Sequence, residues 1–128
     1  MADFYLTIDY NSDVAFYVQL CNQIILMIAN SDLHEGDNLP SVRDLAETVG
    51  INMHTVNKAY TILKQEGYLK VDRRRGTVVA IDVDKYKAQL EMMEKLKYVI
   101  AQGFCRGVTR EDTHAMVDQI YDEYQEQP

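Results

Sequence analysis

Apolar residues recur along this chain with two different periods, and the changes of period divide it into elements. From about Val14 to Asn30, Phe16, Leu20, Ile24, Met27 and Ile28 share one helical face, with no Gly or Pro to interrupt it. This predicts a first helix that serves as core scaffold. Asn30, Ser31 and Asp32 break the pattern, and Gly36–Asp37 marks a turn. Pro40 cannot continue a helix, so the chain enters the next element extended. Ser41, with Asp44 three residues on, is the Ser-x-x-acid arrangement of a capping box. Val42, Leu45, Ala46 and Val49 then supply a helical stripe. Gly50 sits where this short helix should stop, and Asn52 is a good N-cap for another. Val56, Ala59, Tyr60 and Leu63 give that helix its buried face, and Gly67 ends it. Leu39 to Gly67 is therefore predicted as a helix-turn-helix.

After Gly67 the period turns strand-like. Tyr68 to Val71 and Thr77 to Ile81 are β-favouring runs around the polar loop Asp72-Arg73-Arg74-Arg75-Gly76, which reads as a hairpin. Beyond it, Tyr86, Leu90, Met93, Leu96, Ile100 and Phe104 form a sustained helical stripe that Gly103 and Gly107 are expected to close. Thr109 to Asp112 looks like a further capping box, and Val117, Ile120, Tyr121 and Tyr124 line one face of a last helix. At the other end, Phe4, Leu6 and Ile8 alternate with Tyr5, Thr7 and Asp9. Residues 1–13 thus read as an irregular or partly extended arm with room for a short strand.

The fold class that follows is mainly α with a small β-hairpin. Residues 1–81 form a winged helix-turn-helix domain and residues 82–128 a two-helix dimerisation tail. Two helices joined by a few residues bury little alone. They must pack on the winged domain, on another copy, or both. The long, Met-rich stripe favours another copy, with Leu90, Met93, Leu96, Ile100, Phe104, Val117, Ile120, Tyr121 and Tyr124 as the interface of a homodimer.

Charge changes the picture. The 128 residues carry a formal net charge of −7, which by itself speaks against nucleic acid. The distribution is uneven. Residues 1–40 have six acids and no Lys or Arg, residues 41–80 seven bases against four acids, and residues 81–128 six bases against ten acids. The one net-positive block holds the helix-turn-helix and hairpin, so a local patch can meet phosphate while the remaining surface stays acidic. Three consecutive arginines at the hairpin tip repel each other and do not serve folding. Arginine suits phosphate forks and narrow minor grooves. On the second helix of the pair, His54, Lys58 and Thr61 point away from Val56, flanked by Thr55 and Asn57. A helix reading the major groove needs such a polar face near its N-terminus.

Other chemistries find no support. His34, His54 and His114 are far apart, with no H-x-x-x-H or C-x-x-C pair, so no metal site and no cofactor is expected. No Gly-rich phosphate loop or G-x-S-x-G elbow occurs, and no carboxylate pair stands out, so an enzyme is a poor hypothesis and no catalytic residue is named. There is no apolar run of about 18 residues and no signal-peptide pattern, which predicts a cytoplasmic protein with no membrane partner. Cys21 and Cys105 lie in apolar helical contexts and are expected to be buried thiols, a bridge between them being the minor alternative.

Several strings resemble the winged-helix domain of GntR-type bacterial transcription regulators. They are Tyr17-x-Gln19-Leu20, Leu33-x-x-Gly36-Asp37-x-Leu39-Pro40-Ser41-Val42-Arg43-x-Leu45-Ala46, Thr55-Val56-x-Lys58-Ala59-Tyr60-x-x-Leu63, Glu66-Gly67 and Gly76-Thr77-x-Val79. The resemblance implies that Arg43 contacts DNA, that Asn52, His54, Thr55 and Asn57 occupy the variable reading positions, and that Arg73, Arg74 and Arg75 form the wing tip. Ser41 and Lys58 complete the expected contact set. Arg74 stands where the family commonly has Gly, so a different wing turn and more salt-sensitive binding are expected. Only about 47 residues follow Ile81, too few for the large effector domain of most branches. The chain thus resembles the short YtrA-like branch, whose regulators often control ABC transporter operons.

The resulting expectation is a homodimeric repressor reading an inverted-repeat operator in double-stranded DNA. Two alternatives stay open. One is a winged-helix protein–protein adaptor that has lost DNA binding. The other is a regulator that senses an unidentified small-molecule effector where wing and tail join.

Overall fold

The structure is a computed structural model and describes residues 5–125. The chain forms two compact units, Met1–Asp82 and Val83–Pro128. In the first, α1 (Phe16–Ala29), α2 (Val42–Val49) and α3 (Met53–Gln65) are followed by β1 (Leu69–Asp72) and β2 (Gly76–Val79).

Local chemistry sets these boundaries. The Ser41 hydroxyl accepts from the Asp44 amide at 3.1 Å and opens α2. Gly50 ends it in the left-handed region at φ +79°. Asn52 Oδ1 accepts from the His54 amide at 2.7 Å and opens α3. α3 packs on both α1 and α2, and the fully buried Leu20, Ile24, Leu45, Val56, Ala59, Tyr60, Leu63 and Val79 fill the space between. Tyr60 is also tied at its tip, its hydroxyl donating to Pro40 O at 2.8 Å. Burial holds that phenol well above the ordinary tyrosine range.

β1 and β2 pair antiparallel from Leu69 opposite Val79 to Asp72 opposite Gly76. β2 has a second neighbour that the sequence pattern reads only as a turn and entry segment. Gly36 N donates to Val79 O, Val79 N to Asp37 O and Leu39 N to Thr77 O, all at 2.8–2.9 Å, and Asn38 bridges Val78. The wing is thereby hydrogen-bonded directly to the segment that leads into α2.

The arm forms no strand over residues 5–13: residues 5–9 are irregular and residues 10–13 turn; Phe4 lies outside the described residues. Leu6 is buried and Ile8 packs on the core, so the alternation does mark an inward face. Two glutamine side chains take the place of a pairing strand. Gln23 accepts from Thr7 N at 3.2 Å and donates to Thr7 O at 2.6 Å. Gln19, one turn earlier, accepts from Asp9 N at 2.9 Å and donates to Asp9 O and Val14 O.

The second unit consists of α4 (Lys85–Cys105) and α5 (Arg110–Gln125). Asp84 caps α4. Thr109 and Asp112 form a reciprocal capping box, each side chain accepting from the other's amide at 3.0 Å. Gly103 does not close α4 but lies within it. A Cβ there would meet Val108 Cβ at 3.3 Å, so this glycine makes room for the returning chain. No residue of α4 is buried. Cys105 is accordingly exposed, contrary to the expectation of two buried thiols: it lies on a helix with no buried residue, so its apolar sequence context does not amount to a core. Cys21 is buried and its thiol bonds to Ala59 O, while burial and, second, the charge of Glu66 push its pKa up to about 11. Both thiols are free.

Candidate nucleic-acid interface

The ten residues expected at DNA divide into two groups. Some are already committed within the fold. Ser41 and Asn52 spend their side-chain oxygens as helix caps. Lys58 is exposed, but its Nζ lies 3.9 Å from the centre of the Tyr17 ring on α1, a cation–π contact. Thr55 is half-buried. Arg75 reaches back to donate to Gly36 O at 2.7 Å and to Asn38 Oδ1 at 3.3 Å, and Asn38 donates in return to the Arg75 carbonyl. This clamp braces the wing. Arg75 is thus a strut within the wing, with its guanidinium still at the surface.

The remaining residues are free. Arg43, His54, Asn57, Arg73 and Arg74 are exposed, and no side-chain hydrogen bond or ion pair among the described residues engages them. Arg43 and Met53 line a shallow hollow together with Ala46, Glu47, Gly50 and Ile51. Met53 opens α3, is 44% exposed and was not in the expected set; a large apolar side chain at the first position of a reading helix is the signal that could have found it. The first turn of α3 carries no acid, so the positive end of its dipole is unopposed.

The wing turn explains how Arg74 is tolerated. Asp72 Oδ1 accepts from the amides of Arg74 at 2.8 Å and Arg75 at 3.1 Å. Those two hydrogen bonds, ahead of the nearby Arg75 and Lys70 charges, hold the Asp72 carboxyl below the ordinary aspartate range. The left-handed residue of the turn is Gly76, at φ +83°, not Arg74. Arginine at this position therefore strains nothing.

The nine residues expected at a dimer interface are all accessible in the single chain, from Phe104 at 78% to Leu96 at 40%, with Tyr124 half-buried. At the elbow of the tail, Ile100, Phe104, Val108, Thr109, Arg110 and His114 line a hollow of about 640 Å³. No helix among the described residues is long and apolar enough to cross a membrane, and no group of His, Cys, Asp and Glu among them could hold a metal ion.

Comparison with known proteins agrees with the fold. The family profile described as "Bacterial regulatory proteins, gntR family" matches residues 16–79. The HTH-type transcriptional repressor YtrA of Bacillus subtilis (strain 168) is 32% identical over 118 residues, covering 90% of this chain and 91% of that one. A crystal structure of a transcriptional antiterminator from Listeria monocytogenes EGD-e superposes with a TM-score of 0.83 at 28% identity, covering 97% of this chain and 94% of the other. YtrA from Sulfolobus acidocaldarius, a GntR-family transcription factor, gives 0.59 at 34% identity over 92% of this chain and 97% of that one. These relatives are transcription regulators rather than enzymes, and their likeness runs through the tail as well as the wing. With the capped helix pair, the wing and the matching profile together, the chain belongs to the gntR family of bacterial regulatory proteins, DNA-binding transcription regulators built on a winged helix-turn-helix.

Proposed function

We propose that the protein is a homodimeric repressor that reads an inverted-repeat operator, one half-site per α3. The observation that carries this reading is the free set Arg43, His54, Asn57, Arg73 and Arg74, exposed on a unit whose reading helix and wing are both fixed to the entry segment of α2. His54 and Asn57, with Met53, face base edges; Arg43, Arg73 and Arg74 meet phosphate or the minor groove. After capping, Ser41 retains its hydroxyl proton and Asn52 both protons of its side-chain amide for phosphate. Lys58, held on Tyr17, contributes charge rather than a base contact. Repression is supported by the name of the Bacillus relative. Because the YtrA-like branch often controls ABC transporter operons, such an operon in the cytoplasm is the first target to test.

The dimer would form through the apolar faces of α4 and α5, including Leu90, Met93, Leu96, Ile100, Phe104, Val117, Ile120, Tyr121 and Tyr124. A helix of 21 residues with no buried side chain is stable only when something covers it. A second copy satisfies both this need and the twofold symmetry of an inverted repeat. A small-molecule effector, if the regulator has one, would find its room in the elbow hollow.

The test is a binding titration on duplex DNA selected by the protein from a random pool, repeated at rising salt. Affinity should fall steeply, because each neutralised phosphate releases counterions. Arg43→Ala should lose about 1–3 kcal/mol of binding free energy. A flat salt dependence, or an unaffected Arg43 variant, would remove the corresponding contacts.

A further inference from the structure

We propose that Tyr10 is a positioning residue for DNA reading, through which the arm sets the turn between α2 and α3. The inference rests on α3 being the reading helix.

The last carbonyls of a helix have no partner within it. At the end of α2 these include Val49 O and Gly50 O, and the Tyr10 hydroxyl donates to both, at 3.5 and 3.2 Å. A hydroxyl has one proton, so this is one shared bond, stronger toward Gly50. It crosses about forty residues of sequence and lands on the last residue of α2 and the first of the three-residue link, Gly50 to Asn52, that fixes where α3 begins.

The other end of this connection is firmly held. The Tyr10 ring meets Phe16, the first residue of α1, edge-on with centroids 5.3 Å apart. Just before it, the backbone of Asp9 is gripped by Gln19 and that of Thr7 by Gln23. Leu6 anchors the arm in the core. A rigid path therefore runs from α1 through the arm to the turn. Tyr10 is 61% exposed, so its hydroxyl contributes little to burial and its removal leaves the core intact. Residues 5–13 hold two acids and no Lys or Arg. The arm is thus unsuited to phosphate, and whatever it does for DNA binding it does by holding the turn.

The test compares Tyr10→Phe, which keeps the ring and deletes the bond, with the wild type. Tyr5→Ala serves as a control, because that side chain is 79% exposed on the same arm. Amide exchange in the free protein is read first. In Tyr10→Phe the Gly50 and Ile51 amides, both bonded to Ala46 O, should exchange faster while core amides such as Leu63 do not change. Affinity for the selected duplex should fall about threefold to tenfold, the worth of one hydrogen bond. Affinity for unrelated duplex and the salt slope should stay as in wild type. Unchanged exchange at the turn overturns the proposal. So does an equal loss on selected and unrelated DNA, which would make Tyr10 a backbone contact instead. If the wild type selects no duplex, it is the DNA reading that fails, and exchange still decides whether Tyr10 holds the turn.

Discussion

Helices α3 and α4 carry the same kind of apolar spacing, yet α3 hides Val56, Ala59, Tyr60 and Leu63 completely while α4 leaves every apolar side chain in solvent. The difference is not in the stripe. It is in what surrounds each helix in the sequence. α3 follows α1 and α2 within the same unit and packs on both, so its partners are delivered by the chain itself. α4 is 21 residues long with one helix after it, and the elbow at Gly107 gives contact near Val108 rather than along the stripe. Periodicity thus reports that a face must be covered, and says nothing about which molecule covers it.

The comparison can be broken most sharply by truncating one leucine in each unit. Leu45→Ala should cost about 2–5 kcal/mol in urea unfolding, the usual range for an emptied core site, with a midpoint independent of protein concentration. On the proposed dimer, Leu96→Ala should instead lower a midpoint that itself shifts with the logarithm of protein concentration. Equal and concentration-independent losses would erase the distinction. Glycines make a second pair. Gly67 and Gly107 are both left-handed, at φ +86° and +87°, but a Cβ at Gly67 would lie 2.7 Å from Asp82 Cβ while one at Gly107 meets nothing. Gly67→Ala should therefore cost about 2–4 kcal/mol, backbone strain plus a clash, against about 1–2 kcal/mol for Gly107→Ala from strain alone. A smaller effect, about 1 kcal/mol, is expected for Tyr60→Phe, which orphans Pro40 O. The smallest is a pH effect at the wing. The folded pKa of Asp72 is depressed, so its contribution is complete at neutral pH and fades as pH falls below the ordinary aspartate range. Protection of the Arg74 and Arg75 amides, read against their intrinsic exchange rates, should fall there in the wild type and should already be lost at neutral pH in Asp72→Ala.

These contrasts also explain what was legible in the chain. Caps were, because Ser41, Asn52 and Thr109 act on amides two or three residues away and Gly50 and Gly67 on their own backbone. The core stripe of the winged unit was, because helical spacing and burial coincide there. Contacts joining polar side chains to distant backbone were not. Arg75 to Gly36 and Tyr10 to Gly50 each span about forty residues, have no period, and involve residue types that are usually solvated. The second neighbour of β2, residues 36–39, was missed because Gly, Asp, Asn and Leu look like a turn, and the backbone bonds that enlist them as a strand partner belong to β2. Cys105 was misplaced for the reason that separates the two units: an apolar context is not yet a buried one.

Gln19 and Gln23 grip the arm through the N–H and C=O of Asp9 and Thr7, groups that almost every amino acid possesses. The grip is blind to side-chain identity at positions 7 and 9. Replacing the side chain at either position should leave the grip in place, while replacing one of the two glutamines, equally polar and equally unremarked by any hydrophobic pattern, should not. Variation on the arm would then be a record of what the anchor ignores, and a change at residue 19 or 23 would be the one that lets the arm go.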